Sequence, residues 1–179
     1  MALQVRVNWA HHIESCVETM SQTPQVLCAA LQQRVNSVHL ATIGEDGLPH
    51  TGCVPCLWID NGLHIFVSRL SVHTQDLLNN PAVSGMLVED EQDNRQPFAR
   101  VRLRYQCTAE TIGPDHEQYA DRLDAFEAKH GKTVQLLRQL PDFVLFNLVP
   151  HDAIFVMGFG QAYRLSGPQW STFEHINTA

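Results

Sequence analysis

Ser37-Val-His-Leu-Ala-Thr-Ile-Gly-Glu-Asp-Gly47 reads as a strand, Ser37 to Ile43, closed by the hairpin signal Glu45-Asp46-Gly47. His50 to Ile59 is the returning strand. Asp60-Asn61-Gly62 is a second tight-turn signal, and Leu63 to Ser68 is a third strand. Three strands joined by turns too short for a helical crossover form a meander, so the sheet is antiparallel. Pro55 inside the second strand lacks a ladder donor and predicts an edge or a bulge there.

Downstream, Ser71 caps a short helix over 72–78 that stops at Asn80-Pro81, and Ala82 to Val88 is a fourth strand. Glu89 to Gln96 is an acidic loop. Phe98 to Ile112 reads as one long strand. Asp115 with Gln118 resembles a capping box, followed by a helix with Tyr119, Leu123 and Phe126 on one face and Gly131 at its end. Thr133 to Leu140 is a further helical stretch. Strands return at 143–149, 153–156 and 161–165. Upstream, residues 10–35 read as helical and broken near Thr23, where Thr23-Pro24 supplies a cap and a first-turn proline; Val26, Leu27, Ala30 and Leu31 make its apolar face. Strands dominate and do not alternate with helices as βαβ units, which predicts a mainly β protein, an antiparallel barrel with peripheral helices.

The chain has 179 residues, enough for one domain. Its net charge of −7 argues against nucleic acid and against an anionic membrane surface as partners. No apolar run approaches the length of a bilayer span, and residues 1–12 have no leader-peptide pattern. Five irregularly spaced cysteines read as reduced thiols, which with the missing leader predicts a cytoplasmic protein. Cys53-Val-Pro-Cys56 has no second pair for zinc, and both residues are expected to be core thiols.

Several residues carry chemistry. Arg100, Arg102 and Arg104 alternate with Val101, Leu103 and Tyr105, so in a strand the guanidiniums share a face and make an anion site for a phosphate or for propionates. The plainer reading is a solvated face with surface ion pairs. Ser71, His73 and Thr74 lie where a strand meets a helix start, whose free amides suit an anion; plain helix capping by Ser71 is the alternative. His175, in Phe173-Glu-His-Ile176, is either an iron ligand or an exposed residue of the end segment. Gly158-Phe-Gly160 lacks the following helix of a dinucleotide fingerprint and suits a bulge or tight bend.

Three segments carry a family resemblance. They are Val38-His-Leu-Ala-Thr with Asp46-Gly-Leu-Pro; His73-Thr-Gln-Asp-Leu-Leu-Asn-Asn-Pro81 running through Met86-Leu-Val-Glu-Asp-Glu91 to Phe98-Ala-Arg-Val-Arg-Leu103; and Asp142-Phe through Phe155-Val-Met-Gly-Phe-Gly-Gln-Ala-Tyr163. The chain resembles the pyridoxamine-phosphate-oxidase-like FMN-binding split barrels, and within them the HugZ/HutZ-type haem-utilization proteins. That resemblance implies a homodimeric split β-barrel over 36–170, with residues 1–35 as a helical segment packed on it and 171–179 as a C-terminal tail. It implies haem b held at the subunit interface and haem degradation for iron acquisition, with electrons from an external donor. His175 would be the axial iron ligand and Arg100 and Arg102 would meet the propionates, with His73 near the pocket. Two alternatives stand beside it: an FMN-dependent oxidoreductase, with the arginine strand (Arg100, Arg102 and Arg104) and the Ser71–Thr74 turn at the phosphate, and a non-catalytic haem carrier. Two departures bear on the choice. A histidine, His73, stands where flavin-using relatives carry a lysine or arginine. The stretch from Gly131 to Leu140 has Gln135 where the haem degraders supply a carboxylate to the axial histidine.

Overall fold

The computed structural model describes residues 23–93 and 96–177, so the helical reading of residues 10–22 lies outside the described residues. The meander is present as read: β1 (Ser37–Ile43), β2 (Pro49–Ile59) and β3 (Gly62–Ser68). Gly47 takes φ +78°, and Asp60 and Asn61 take φ 49° and 60°, the left-handed pair a tight hairpin needs. Pro55 marks the end of one ladder and the start of another. Residues 49–55 of β2 pair with β1 and residues 56–59 pair with β3, so its missing N–H falls at the changeover.

Six strands close into a barrel. The sheet order is β3-β2-β1-β4-β5-β6-β7-β8, with β3 also pairing β6. β4 spans Ala82–Val88, β5 Arg102–Ile112, β6 Phe143–Gly158, β7 Gln161–Ser166 and β8 Thr172–His175. β6 has two jobs: its first half pairs β3 and closes the barrel, and its second half pairs β7 and carries β7 and β8 away from it. The two separate strands expected over 143–156 are therefore one. Pro150 does not break it, because the register shifts beside Gln106 and Cys107, leaving His151 as the extra residue of a bulge.

The barrel interior is filled by alternate residues of every strand, among them Val38, Leu40, Leu63, Ile65, Leu87, Leu103, Tyr105, Phe146, Leu148 and Phe155. Four helices cover its outside and ends. α1 (Pro24–Arg34) starts at Thr23, whose hydroxyl accepts from the Val26 amide. Its buried residues are Cys28 and Leu31, with Leu27 partly covered, while Val26 and Ala30 face solvent; the face is rotated by about one residue from the expected one. α2 (Val72–Asn79) lies against β1 and β2. α3 (Tyr119–His130) and α4 (Thr133–Leu137) bury Leu123, Phe126 and Val134 on a second core with Leu57, Phe66, Ile112 and Leu145. The expected Asp115 capping box does not form: α3 begins after Gln118, whose amide is taken by His116 Nδ1. Gly131, at φ +82°, closes α3 as expected.

Candidate functional site

The outer face of the barrel carries the most chemistry. Register across β2, β1, β4 and β5 sets Cys53, His39, Met86 and Arg104 in one cross-strand row. Alternation puts Val38, Leu40, Leu87 and Leu103 inside, so this row points outward. These residues, with Leu40, Ala41, Thr51, Gly52 and Ser84, line an open groove of about 630 Å³. A more polar depression of about 380 Å³ adjoins it, lined in part by Arg34, Asn36, Ser37, Val88, Asp93 and Arg100; His39 lines both. Cys53 is thus not the core thiol expected from sequence. It is exposed, whereas Cys56, three residues on and therefore on the other face, is buried. Burial pushes the Cys56 thiol up to about 11.

The arginines expected on one strand face are split by the backbone. Pro97–Ala99 forms a short 3-10 turn, β5 starts only at Arg102, and Arg100 is drawn to the acidic loop. There its Nε donates to the Glu89 carbonyl and its Nη1 to Glu91. Arg102 and Arg104 keep the shared outward face. Arg102 donates to the Arg100 carbonyl and has no carboxylate partner among the described residues. Arg104 and Arg164 share the single carboxylate of Asp152, at 2.8 and 2.7 Å, leaving a surplus of positive charge. Arg34 pairs with Glu89 at 3.0 Å and Asp93 at 3.6 Å.

Ser71, His73 and Thr74 stand at the other end of β1. Ser71 is the cap residue of α2 but its side chain makes no capping bond; its carbonyl instead takes the amides of Thr74 and Gln75. Thr74 is fully buried with an unpartnered hydroxyl. His73 packs over Gly52, where an added Cβ would lie 3.0 Å from its Nδ1, and burial lowers its pKa. Arg100 borders the Ser37 end of β1 and this turn borders the Thr42 end, roughly 17 Å away at the rise of a strand.

Beside His73 is an arrangement that the sequence pattern did not signal. The buried carboxylate of Asp76 accepts from Thr42 Oγ1 at 2.6 Å and meets His50 Nδ1 at 2.8 Å. Burial alone would raise its pKa, but these hydrogen bonds and the imidazoles of His50 and His73 outweigh it, and the carboxyl lies below its usual value. Only the opposition of Thr42 and His50 in the β1–β2 register, two residues from the turn, hints at it.

His175 lies not in a loose tail but on β8, paired with Tyr163 of β7 and edge-on to its ring. Its Nε2 is 2.8 Å from the Gly160 carbonyl and its Nδ1 is 2.7 Å from Asn177 Oδ1. Gln135 donates to Glu127, which also pairs with Arg138, so a carboxylate from α3 stands beside the amide.

The model of the pyridoxamine 5'-phosphate oxidase family matches residues 27–157, from α1 almost to the end of β6. The chain belongs to this family. Within it, the chain is 34% identical over 145 residues to the heme oxygenase HutZ of Vibrio cholerae, covering 81% of this chain and 82% of that one. The crystal structure of Vibrio cholerae HutZ, described there as a heme storage protein, superposes with a TM-score of 0.73 at 28% identity, over 77% of this chain and 99% of that one. Campylobacter jejuni ChuZ gives 0.78 at 26% identity, over 92% of this chain and 68% of that one. The split-barrel expectation thus holds for this member of the pyridoxamine 5'-phosphate oxidase family. Among the described residues no helix is long and apolar enough to cross a membrane, and no cluster of three or more His, Cys, Asp or Glu is built to hold a metal ion.

Proposed function

We propose that this chain binds haem in the outer groove, as a homodimer, and serves haem breakdown for iron utilization. The observation that carries the reading is the lining of the groove. Ala41 and Met86 offer apolar contacts, His39 offers an imidazole, and Arg34, Arg100 and Arg104 stand at its margin. A flat apolar ring with two carboxylates on one edge needs that combination, and a pocket of a few hundred Å³ suits it. The likeness to HutZ, named a heme oxygenase, supports the same ligand.

Arg102, which meets no carboxylate among the described residues, and Arg100, whose Glu91 partner is exposed, are the residues to hold propionates. His175 is the ligand that the family resemblance offers to iron. Within one chain β8 lies five strand steps from β1, roughly 24 Å along the sheet, so His175 approaches a groove from a second copy. Taking iron requires Nε2 to leave the Gly160 carbonyl, while Nδ1–H keeps Asn177 Oδ1 as its acceptor and fixes the tautomer. Haem, when bound, supplies iron that activates dioxygen with electrons from an external donor, so that the porphyrin itself is oxidised. The protein holds the ring, orients it and keeps water out.

A second reading, a non-catalytic haem carrier, is favoured by one feature. The partner of His175 is an amide and not a carboxylate, which leaves the imidazole less electron-rich. Titration of haem into wild type and His175→Ala, followed by the Soret band, tests the ligand and its base. A saturable shift displaced in the variant supports both. Consumption of the bound haem under reductant and oxygen then separates enzyme from carrier. A protein that purifies with flavin and gives no saturable shift with haem moves the reading to the FMN oxidoreductase.

A further inference from the structure

We infer that His39 is a second iron ligand, meeting the haem from the barrel side of the groove. The inference rests on the haem reading above and assigns it a residue that the sequence pattern did not single out. Of the histidines among the described residues, His50 is held by Asp76, His130 by the Cys56 carbonyl, His116 by the Gln118 amide and His175 by Gly160 and Asn177. His64 is buried, and His73 packs over Gly52 and does not line the groove. His151 stands at the bulge of β6 and lines neither depression. His39 alone both lines the groove and makes no hydrogen bond to another described residue.

Its direction also fits. Side chains of a sheet stand roughly perpendicular to it. A flat ring lying across β2, β1 and β4 therefore presents its centre to a residue rising from the middle strand, and His39 is on that strand. Its cross-strand neighbours in the row are Cys53 and Met86, and Ala41 follows two residues along; Cys53 and Ala41 are small, and the unbranched Met86 side chain can fold flat beneath a ring. Arg104 lies two strand steps from His39, roughly 10 Å, at the distance of a rim and not of the centre. With His39 on one side and His175 of a second copy on the other, iron has no open position, so haem is stored until one imidazole leaves. That gives one protein both a storage and a degrading state.

The test uses full-length ferric complexes of wild type, His39→Ala, His175→Ala and Cys53→Ser, read by absorbance and electron paramagnetic resonance. The expected wild-type spectrum is low-spin with two nitrogen ligands. His39→Ala turns it high-spin and weakens haem binding about tenfold, and added imidazole restores the low-spin form. Because position 39 is exposed, circular dichroism of the variant matches wild type. A low-spin spectrum unchanged in His39→Ala, or a high-spin wild type, overturns the inference while leaving haem binding intact. A change in Cys53→Ser with none in His39→Ala assigns the ligand to the thiol and also overturns it. Absence of any saturable haem signal in wild type overturns the haem reading itself.

Discussion

His64 sits on the face of β3 that packs against α3, 3% exposed, with its Nδ1 unpartnered. Burial, with the guanidinium of Arg122 nearby, lowers its pKa from 6.5 to about 4. The unfolded chain therefore takes up a proton as pH falls through 6.5, and the folded chain refuses it until about 4. Stability is complete above that window and falls through it, by up to about 3 kcal/mol at the acid end. Urea unfolding at pH 7.5 and at pH 4.5 checks this, and His64→Leu makes the difference between the two smaller. Asp76 acts in the same direction at lower pH, because its depressed pKa gives stability that is lost as pH falls through it. At neutral pH, Asp76→Ala strands the Thr42 hydroxyl and frees His50. Chemical denaturation is expected to show a loss of roughly 3 kcal/mol, the scale of two hydrogen bonds to a buried charge.

Among the elements, the β2–β3 hairpin is held by a close approach. A Cβ at Gly62 would lie 2.6 Å from Asn147 Oδ1 and 3.1 Å from His64 Cε1, so an added methyl there makes the Asn147 amide and the His64 ring shift. Gly62→Ala is expected to lower the thermal midpoint by several degrees, the effect of about 1–3 kcal/mol of overpacking. α1 is joined to the barrel mainly through Cys28 and Leu31, its two buried residues. Leu31→Ala removes the larger of them and is expected to cost about 3 kcal/mol. Hydrogen exchange in 24–34 should then rise before exchange in the strands does. β6 explains why the element pattern misled at one point. Pro150 and His151 read as a break, yet the bulge opposite Gln106 and Cys107 absorbs the extra residue and keeps the ladder running to Gly158.

At the scale of the whole molecule, a barrel closed by β3–β6 leaves an extension, β7 and β8, that carries His175 away from the groove of its own chain. The proposed haem site accordingly needs two copies, and sedimentation at micromolar concentration should give twice the 20.2 kDa of the chain. A monomer that still binds haem with His175 as ligand would remove the two-copy site. The antiparallel meander, the turn residues Gly47 and Asp60-Asn61, the cap at Thr23 and the glycine at the end of α3 were legible in the sequence, because each is a local matter of period, turn chemistry or backbone freedom. So was the outward pairing of Arg102 and Arg104, a consequence of strand alternation. What tertiary structure alone decided is what stands beside what. Arg100 left the strand for the acidic loop, and Asp76 found Thr42 and His50 from another element. His39 came to lie between Cys53 and Met86 through register across three strands. Such neighbours depend on pairings tens of residues apart, and the sequence pattern of any one strand is the same whichever partner it meets.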